Sequence, residues 1–193
     1  CQRPSPCLPA RHMPWSLPMA SIEPQCLLSA DEIAVRVDRL AQEIAPKIDD
    51  DTVAVCLLTG GIWFAADLTR ALAHHGRRVL FDALWLSSYR DERQSFGRCE
   101  VRADLQRSVV GRKTLIMDDV FDTGLSLSES VRLVRDAGAS QVLTAVFARK
   151  PWDAPRALVP DFVAWEAPAR YLVGYGMDSA GTLRGLPFIG ALD

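Results

Sequence analysis

Leu115-Ile-Met-Asp-Asp-Val-Phe-Asp-Thr-Gly-Leu-Ser-Leu127 decides how the chain is read. Its apolar start, over 114–117, predicts a buried strand that ends in two adjacent carboxylates, Asp118 and Asp119. A third carboxylate, Asp122, follows. Thr123, Gly124 and Ser126 then lead into Leu127, Val131 and Val134, which share one helix face closed by Gly138. Small hydroxyl residues and a glycine ahead of a helix make a phosphate cradle, because backbone N–H groups and the positive end of the helix dipole converge there. Carboxylates beside it accept hydrogen bonds from sugar hydroxyls and suit a divalent cation. Helix capping accounts for one of Asp122, Thr123 and Ser126. It does not account for three carboxylates at the end of a buried strand, where their repulsion needs a compensating partner.

Working outward, Ser29 and Glu32 form a capping box for a helix whose apolar face is Ile33, Val37, Leu40 and Ile44, ended by Pro46. A short apolar run over 53–58 predicts a strand. Ala65, Leu68 and Leu72 mark a helix that stops at Gly76. Strands are expected at 79–86 and 141–148, and a β-rich stretch at 162–175; the polar segment 87–97 reads as a loop or flap. Strands alternating with helices specify an α/β fold with a mostly parallel sheet, and ligands bind such sheets at the carboxyl ends of the strands. The loops after Leu58, Asp118, Lys150 and Tyr175 are therefore the ones to carry function.

The chain has 193 residues, 49% of them hydrophobic and 24% charged, which supports a single domain with a sizeable core. Residues 1–28, rich in proline, are expected to be an unstructured leader ahead of the domain at 29–193. They lack the apolar run of a signal peptide. Lys plus Arg is 22 against 24 for Asp plus Glu, a net charge of −2, so neither nucleic acid nor a membrane surface is an expected partner. No apolar run approaches the ~18 residues of a membrane span. Five scattered cysteines without a C-x-x-C pair suit a reducing compartment, so a cytoplasmic location is expected, and a structural zinc site is not. The cations are lopsided: only Lys47, Lys113 and Lys150 are lysines. Lys47 and Lys113 read as surface charges, Trp152 and Trp165 as core or interface residues, and His74-His75 as complements to a helix dipole.

The 115–127 stretch resembles the phosphoribosyl-pyrophosphate signature of type I phosphoribosyltransferases: apolar strand, two acids, two apolar residues, Asp-Thr-Gly. A receiver domain keeps its acidic pair near the domain start, and neither a Walker A loop nor a G-x-G-x-x-G string occurs. Three further segments resemble the hypoxanthine-guanine phosphoribosyltransferase family. Leu57-Leu-Thr-Gly-Gly-Ile-Trp-Phe-Ala-Ala-Asp-Leu68 is similar to its first active-site loop, and Leu86-Ser-Ser-Tyr89 to the start of its flap. Pro160-Asp-Phe-Val-Ala-Trp-Glu-Ala-Pro168, Tyr171-Leu-Val-Gly-Tyr-Gly-Met-Asp178 and Arg184-Gly-Leu-Pro187 are similar to its purine-binding region.

The resemblance implies a type I phosphoribosyltransferase fold with a small β-rich hood. It also implies transfer of 5-phosphoribose from phosphoribosyl pyrophosphate to N9 of a 6-oxopurine, with Mg2+ as cofactor and a homodimer or homotetramer as the assembly. By position, Asp118 and Asp119 match the pair that holds the ribose hydroxyls, and Asp122 the general base. Thr123, Gly124, Leu125 and Ser126 match the 5′-phosphate loop. Thr59, Gly60 and Arg184 match pyrophosphate contacts, and Ser88 and Tyr89 the flap. Lys150 matches the donor to the purine 6-oxo group, Tyr171 a stacking aromatic, and Leu172 a backbone contact to the base edge. Asp178 matches a carboxylate near the purine, and with Asp118 and Asp119 it makes up the magnesium-side set.

Two departures stand out. Thr59 replaces a Lys or Arg of the family and is expected to precede a cis bond at Thr59–Gly60, and the flap Tyr89-Arg-Asp-Glu-Arg-Gln-Ser-Phe-Gly97 lacks the usual Gly and Ser/Thr pattern. These two features favour, as an alternative, a phosphoribosyl-pyrophosphate-binding regulator with weak or lost catalysis. A xanthine-preferring transferase is a further alternative, which Lys150 leaves open while arguing against adenine.

Overall fold

The computed structural model describes residues 23–88 and 99–192. Its elements are β1 (Gln25–Leu28), α1 (Ala30–Ile44), β2 (Val53–Leu58), α2 (Ile62–His74), β3 (Leu80–Ser88), β4 (Cys99–Ala103), β5 (Lys113–Phe121), α3 (Leu125–Asp136), β6 (Gln141–Arg149), β7 (Phe162–Glu166), β8 (Tyr171–Val173) and β9 (Ile189–Leu192). A six-stranded sheet runs β4-β3-β2-β5-β6-β7, parallel throughout except where β4 pairs antiparallel with β3 at the edge. A three-stranded antiparallel hood, ordered β1-β9-β8, forms a second sheet. This is the α/β fold with a mostly parallel sheet and a β-rich hood.

Both faces of the sheet are apolar, which is why its strands read as unbroken hydrophobic runs. On β2, Ala54 and Cys56 join a core with α1, α2 and the hood, whereas Val53, Val55 and Leu57 join a second core under α3. The same period-two division separates Leu115 and Met117 from Ile116 on β5. The capping box is present: Glu32 N–H donates to Ser29 Oγ (3.3 Å), and Ser29 N–H donates to Glu32 Oε2 (2.9 Å).

Four features differ from expectation. Residues 25–28, assigned to the leader, are strand β1, paired with β9 from the other end of the chain. Strand β4 falls in a stretch without a periodic signal; as an edge strand it carries exposed Glu100 and Arg102. Strand β5 does not stop at Met117 but stays paired with β6 as far as Phe121 opposite Arg149, so both acids lie on a strand and not in a loop. Finally, His75 does more than complement a dipole, since its Nε2 lies 2.9 Å from Asp38 Oδ1 on α1.

Candidate active site

The carboxyl ends of β2, β5 and β6 meet under the hood. On β5, Asp119 is buried and Asp118 half-buried. Asp119 N–H donates to Asp118 Oδ1 (3.0 Å) and Val120 N–H to Asp119 Oδ1 (2.9 Å). The first active-site loop comes so close that a Cβ on Gly60 would lie 2.0 Å from Asp119 Oδ2. A Cβ on Gly176, where φ is +100°, would lie 2.1 Å from Gly60 O. Glycine at both positions is what lets hood turn, loop and acid pair stack in contact. The cis peptide of this loop is Leu58–Thr59, one bond earlier than expected.

Burial holds the Asp118 carboxyl well above its ordinary value, with the neighbouring Asp119 charge as the next cause. Asp119 is also raised by burial, although hydrogen bonds from Asp118 and Val120 and the positive charge of Arg184 pull it back in part. Cys56, buried beside the pair, has its thiol pushed up to about 12 by burial and by those two carboxylates, so it is not a nucleophile. Raised carboxyls bind protons more tightly in the folded than in the unfolded chain. Their contribution to stability is therefore complete below the ordinary value of 3.8 and is lost as pH rises through the raised folded values. Asp118→Asn is accordingly expected to raise the thermal midpoint of ligand-free protein at neutral pH, by about 2–4 °C per kcal/mol of relieved repulsion. The gap to the parent should close towards about pH 4. A gap that stays constant across that range in differential scanning calorimetry contradicts the origin assigned to it.

Beyond β5, Gly124 adopts φ +82° as the N-cap of α3, with no side-chain cap. Asp122, Thr123 and Ser126 are thus not consumed in capping. Thr123 Oγ1 accepts only a long contact from Leu125 N–H (3.4 Å). A cavity of about 100 Å³ is lined by Asp118 and residues 120–127, with the helix N-terminus at its edge, an arrangement suited to a phosphate group. Lys150, directly after β6, donates its N–H to Phe121 O (3.0 Å), and its Nζ lies 3.7 Å from Asp122 Oδ2. In the hood, Leu172 is buried, while Tyr171 is 53% exposed with its hydroxyl donating to Asp178 O (3.0 Å). That leaves an aromatic face open to a ligand. Asp178 pairs with Arg184 Nη2 (2.6 Å) and accepts from Gly181 N–H (2.7 Å), and Arg184 Nη1 donates to Gly176 O (2.5 Å).

The structure therefore brings Asp118, Asp119, Gly60, the 122–126 loop and Lys150 together. Among the described residues no three His, Cys, Asp or Glu side chains cluster as a metal site, and Asp178 turns to Arg184. Ser88 ends β3, whereas Tyr89 and the rest of the flap lie outside the described residues. Two contributors escaped the sequence. Gly176 had a signal in the string Gly-Tyr-Gly at 174–176. Arg156 had none: its Nε donates to Asp122 O (2.8 Å) and its Nη2 to Lys150 O (2.6 Å).

Residues 27–171 match the family described as the phosphoribosyl transferase domain. The hypoxanthine-guanine phosphoribosyltransferase of Bacillus subtilis is 35% identical over 167 residues, covering 86% of this chain and 91% of that protein. The chain belongs to the hypoxanthine-guanine phosphoribosyltransferase family. The Dictyostelium discoideum member is 29% identical, covering 87% of this chain and 94% of its own length. Among solved structures, the hypoxanthine phosphoribosyl transferase of Trypanosoma cruzi superposes with a TM-score of 0.82 at 27% identity, covering 88% of this chain and 91% of that one. As a member of this family the chain is a phosphoribosyltransferase, and residues 122–126 fall within the matched span 27–171. Among the described residues no helix is long and apolar enough to cross a membrane.

Proposed function

We propose that the protein transfers 5-phosphoribose from phosphoribosyl pyrophosphate to N9 of hypoxanthine or guanine, giving the nucleoside monophosphate and pyrophosphate in purine salvage. The observation that carries this reading is the approach of Lys150 Nζ to Asp122 Oδ2, 3.7 Å, at the mouth of the cradle. One buried-side donor and one carboxylate there suit a base that offers a 6-oxo acceptor and a ring proton. Backbone N–H groups of Thr123, Gly124, Leu125 and Ser126 hold the 5′-phosphate, and Asp118 and Asp119 accept from the ribose hydroxyls. As N9 bonds to C1 of the sugar and the C1–O bond to pyrophosphate breaks, Asp122 takes the ring proton and Arg184, with the Thr59-Gly60 backbone, faces the departing charge. Tyr171 stacks on the base, and the Leu172 backbone meets its edge.

The acid pair fits a magnesium ion on chemical grounds. Its oxygens are hard donors, burial and mutual repulsion disfavour two bare charges there so that a cation would offset a real cost, and Mg2+ is usually held by one or two carboxylates plus substrate phosphates. Asp118 and Asp119 would hold it from the ribose side, with Asp178 on the pyrophosphate side once released from Arg184. When bound, the ion neutralises charge on the leaving group. We place the protein in the cytoplasm as a homodimer or homotetramer. The Trypanosoma cruzi relative, whose C-terminal region has a role in its oligomeric state and enzymatic activity, supports an assembly.

A purine competition assay tests the base. Hypoxanthine and guanine are expected to react, adenine is not, because its 6-amino group leaves Lys150 unpaired, and xanthine is the informative third arm. Lys150→Met should raise KM for 6-oxopurines roughly 10- to 150-fold, the worth of one charged hydrogen bond, with KM for phosphoribosyl pyrophosphate unchanged. Equal effects on both substrates would remove Lys150 from base recognition.

A further inference from the structure

We propose that Arg156 is a positioning residue that holds the base and the purine reader in register, an assignment that rests on the purine-transfer reading above. Three backbone carbonyls at the site receive donors from the 150–156 segment. Lys150 N–H donates to Phe121 O (3.0 Å), Arg156 Nε to Asp122 O (2.8 Å), and Arg156 Nη2 to Lys150 O (2.6 Å). The last two come from a single guanidinium. One planar fork therefore fixes the main chain of both Asp122 and Lys150, the two residues whose side chains face each other across 3.7 Å.

The same guanidinium lies 4.6 Å from the centroid of the Phe121 ring. That ring packs against the cradle glycine so closely that a Cβ on Gly124 would meet it at 2.8 Å. Arg156 thus touches the site in two separable ways: by hydrogen bonds to the main-chain carbonyls of Asp122 and Lys150, and by stacking on the ring beneath the phosphate loop. A guanidinium suits this double task because its donors have fixed geometry and its face stacks on aromatics. Side chains that must meet a substrate within a fraction of an ångström need their main chain held in this way.

Arg156→Met removes the donors and keeps an apolar stem over Phe121. It is expected to lower kcat/KM for hypoxanthine by about 10- to 10²-fold, the cost of a displacement near 1 Å, while KM for phosphoribosyl pyrophosphate changes by less than about 3-fold because the methionine thioether still packs on the ring beneath the cradle. Arg156→Lys, which has a single donor nitrogen in place of the planar fork, should fall between the parent and Arg156→Met. Added guanidinium should restore part of the rate of Arg156→Ala where equal sodium chloride does not. Equal loss for both substrates, or no rescue by either route, overturns the brace.

Hydrogen exchange at the Lys150 amide supplies a readout independent of turnover. It should quicken in Arg156→Met with exchange in β2 and β5 unchanged, and an unchanged Lys150 rate overturns the inference whatever the substrate. Faster exchange together with no turnover of any purine by the parent protein overturns the purine-transfer reading alone.

Discussion

Replacing Asp122 by alanine is expected to lower kcat by about 10²- to 10⁴-fold, the range for losing a positioned proton acceptor, with little change in the affinity for phosphoribosyl pyrophosphate. The asymmetry follows from how the loop is built. The cradle consists of backbone N–H groups over 123–126 and the N-terminus of α3, whose N-cap is Gly124 without side-chain help. Alanine at 122 leaves all of that in place. The main chain at 122 is held by Arg156 through the carbonyl, which alanine also keeps (2.8 Å). What disappears is the carboxylate, 48% exposed and facing Lys150, where a purine would sit. Isothermal titration of phosphoribosyl pyrophosphate alongside single-turnover rates separates the two quantities. Losses of the same size in binding and in chemistry would strip Asp122 of the base role.

The largest effect on stability is expected at Phe147. Its ring is fully buried on β6 and stands edge-on to Phe64 of α2 (centroids 5.7 Å apart) and to Tyr175 of the hood (5.1 Å). Tyr175 in turn donates its hydroxyl to Asp67 Oδ2 of α2 (2.9 Å), so one aromatic stack ties sheet, helix and hood together. Phe147→Ala is expected to cost about 3–5 kcal/mol from lost burial and the cavity left behind. The two aromatic contacts, each worth about 0.5–1.5 kcal/mol, are part of that loss. For a domain of this size that lowers the thermal midpoint by roughly 6–20 °C. Guanidinium denaturation should show the fall with an unchanged slope. A loss below about 1 kcal/mol would mean the hood does not depend on this stack.

The helices and central strands were legible because burial on both sides of a parallel sheet leaves continuous apolar runs, and amphipathic helices leave a face. The cradle was legible because its chemistry is local: Asp118 to Ser126 is one short stretch. What escaped was set by contacts distant in sequence. Strand β1 exists because β9, some 160 residues later, pairs with it, and nothing in Gln25–Leu28 alternates. Glu100 and Arg102 disguise β4 as loop, since an edge strand keeps one face polar. The cis bond lay at Leu58–Thr59 and not at Thr59–Gly60, a distinction of backbone geometry that side-chain identity does not encode. Arg156 was invisible because its partners are main-chain carbonyls, which every residue has.

The central claim is transfer of phosphoribose to a 6-oxopurine, and the direct measurement is product formation by the purified full chain. With phosphoribosyl pyrophosphate, hypoxanthine or guanine, and magnesium, inosine or guanosine monophosphate should form with one pyrophosphate released per nucleotide, and chelation of the metal should stop it. Folded protein that yields no nucleotide from any 6-oxopurine under those conditions would contradict the account.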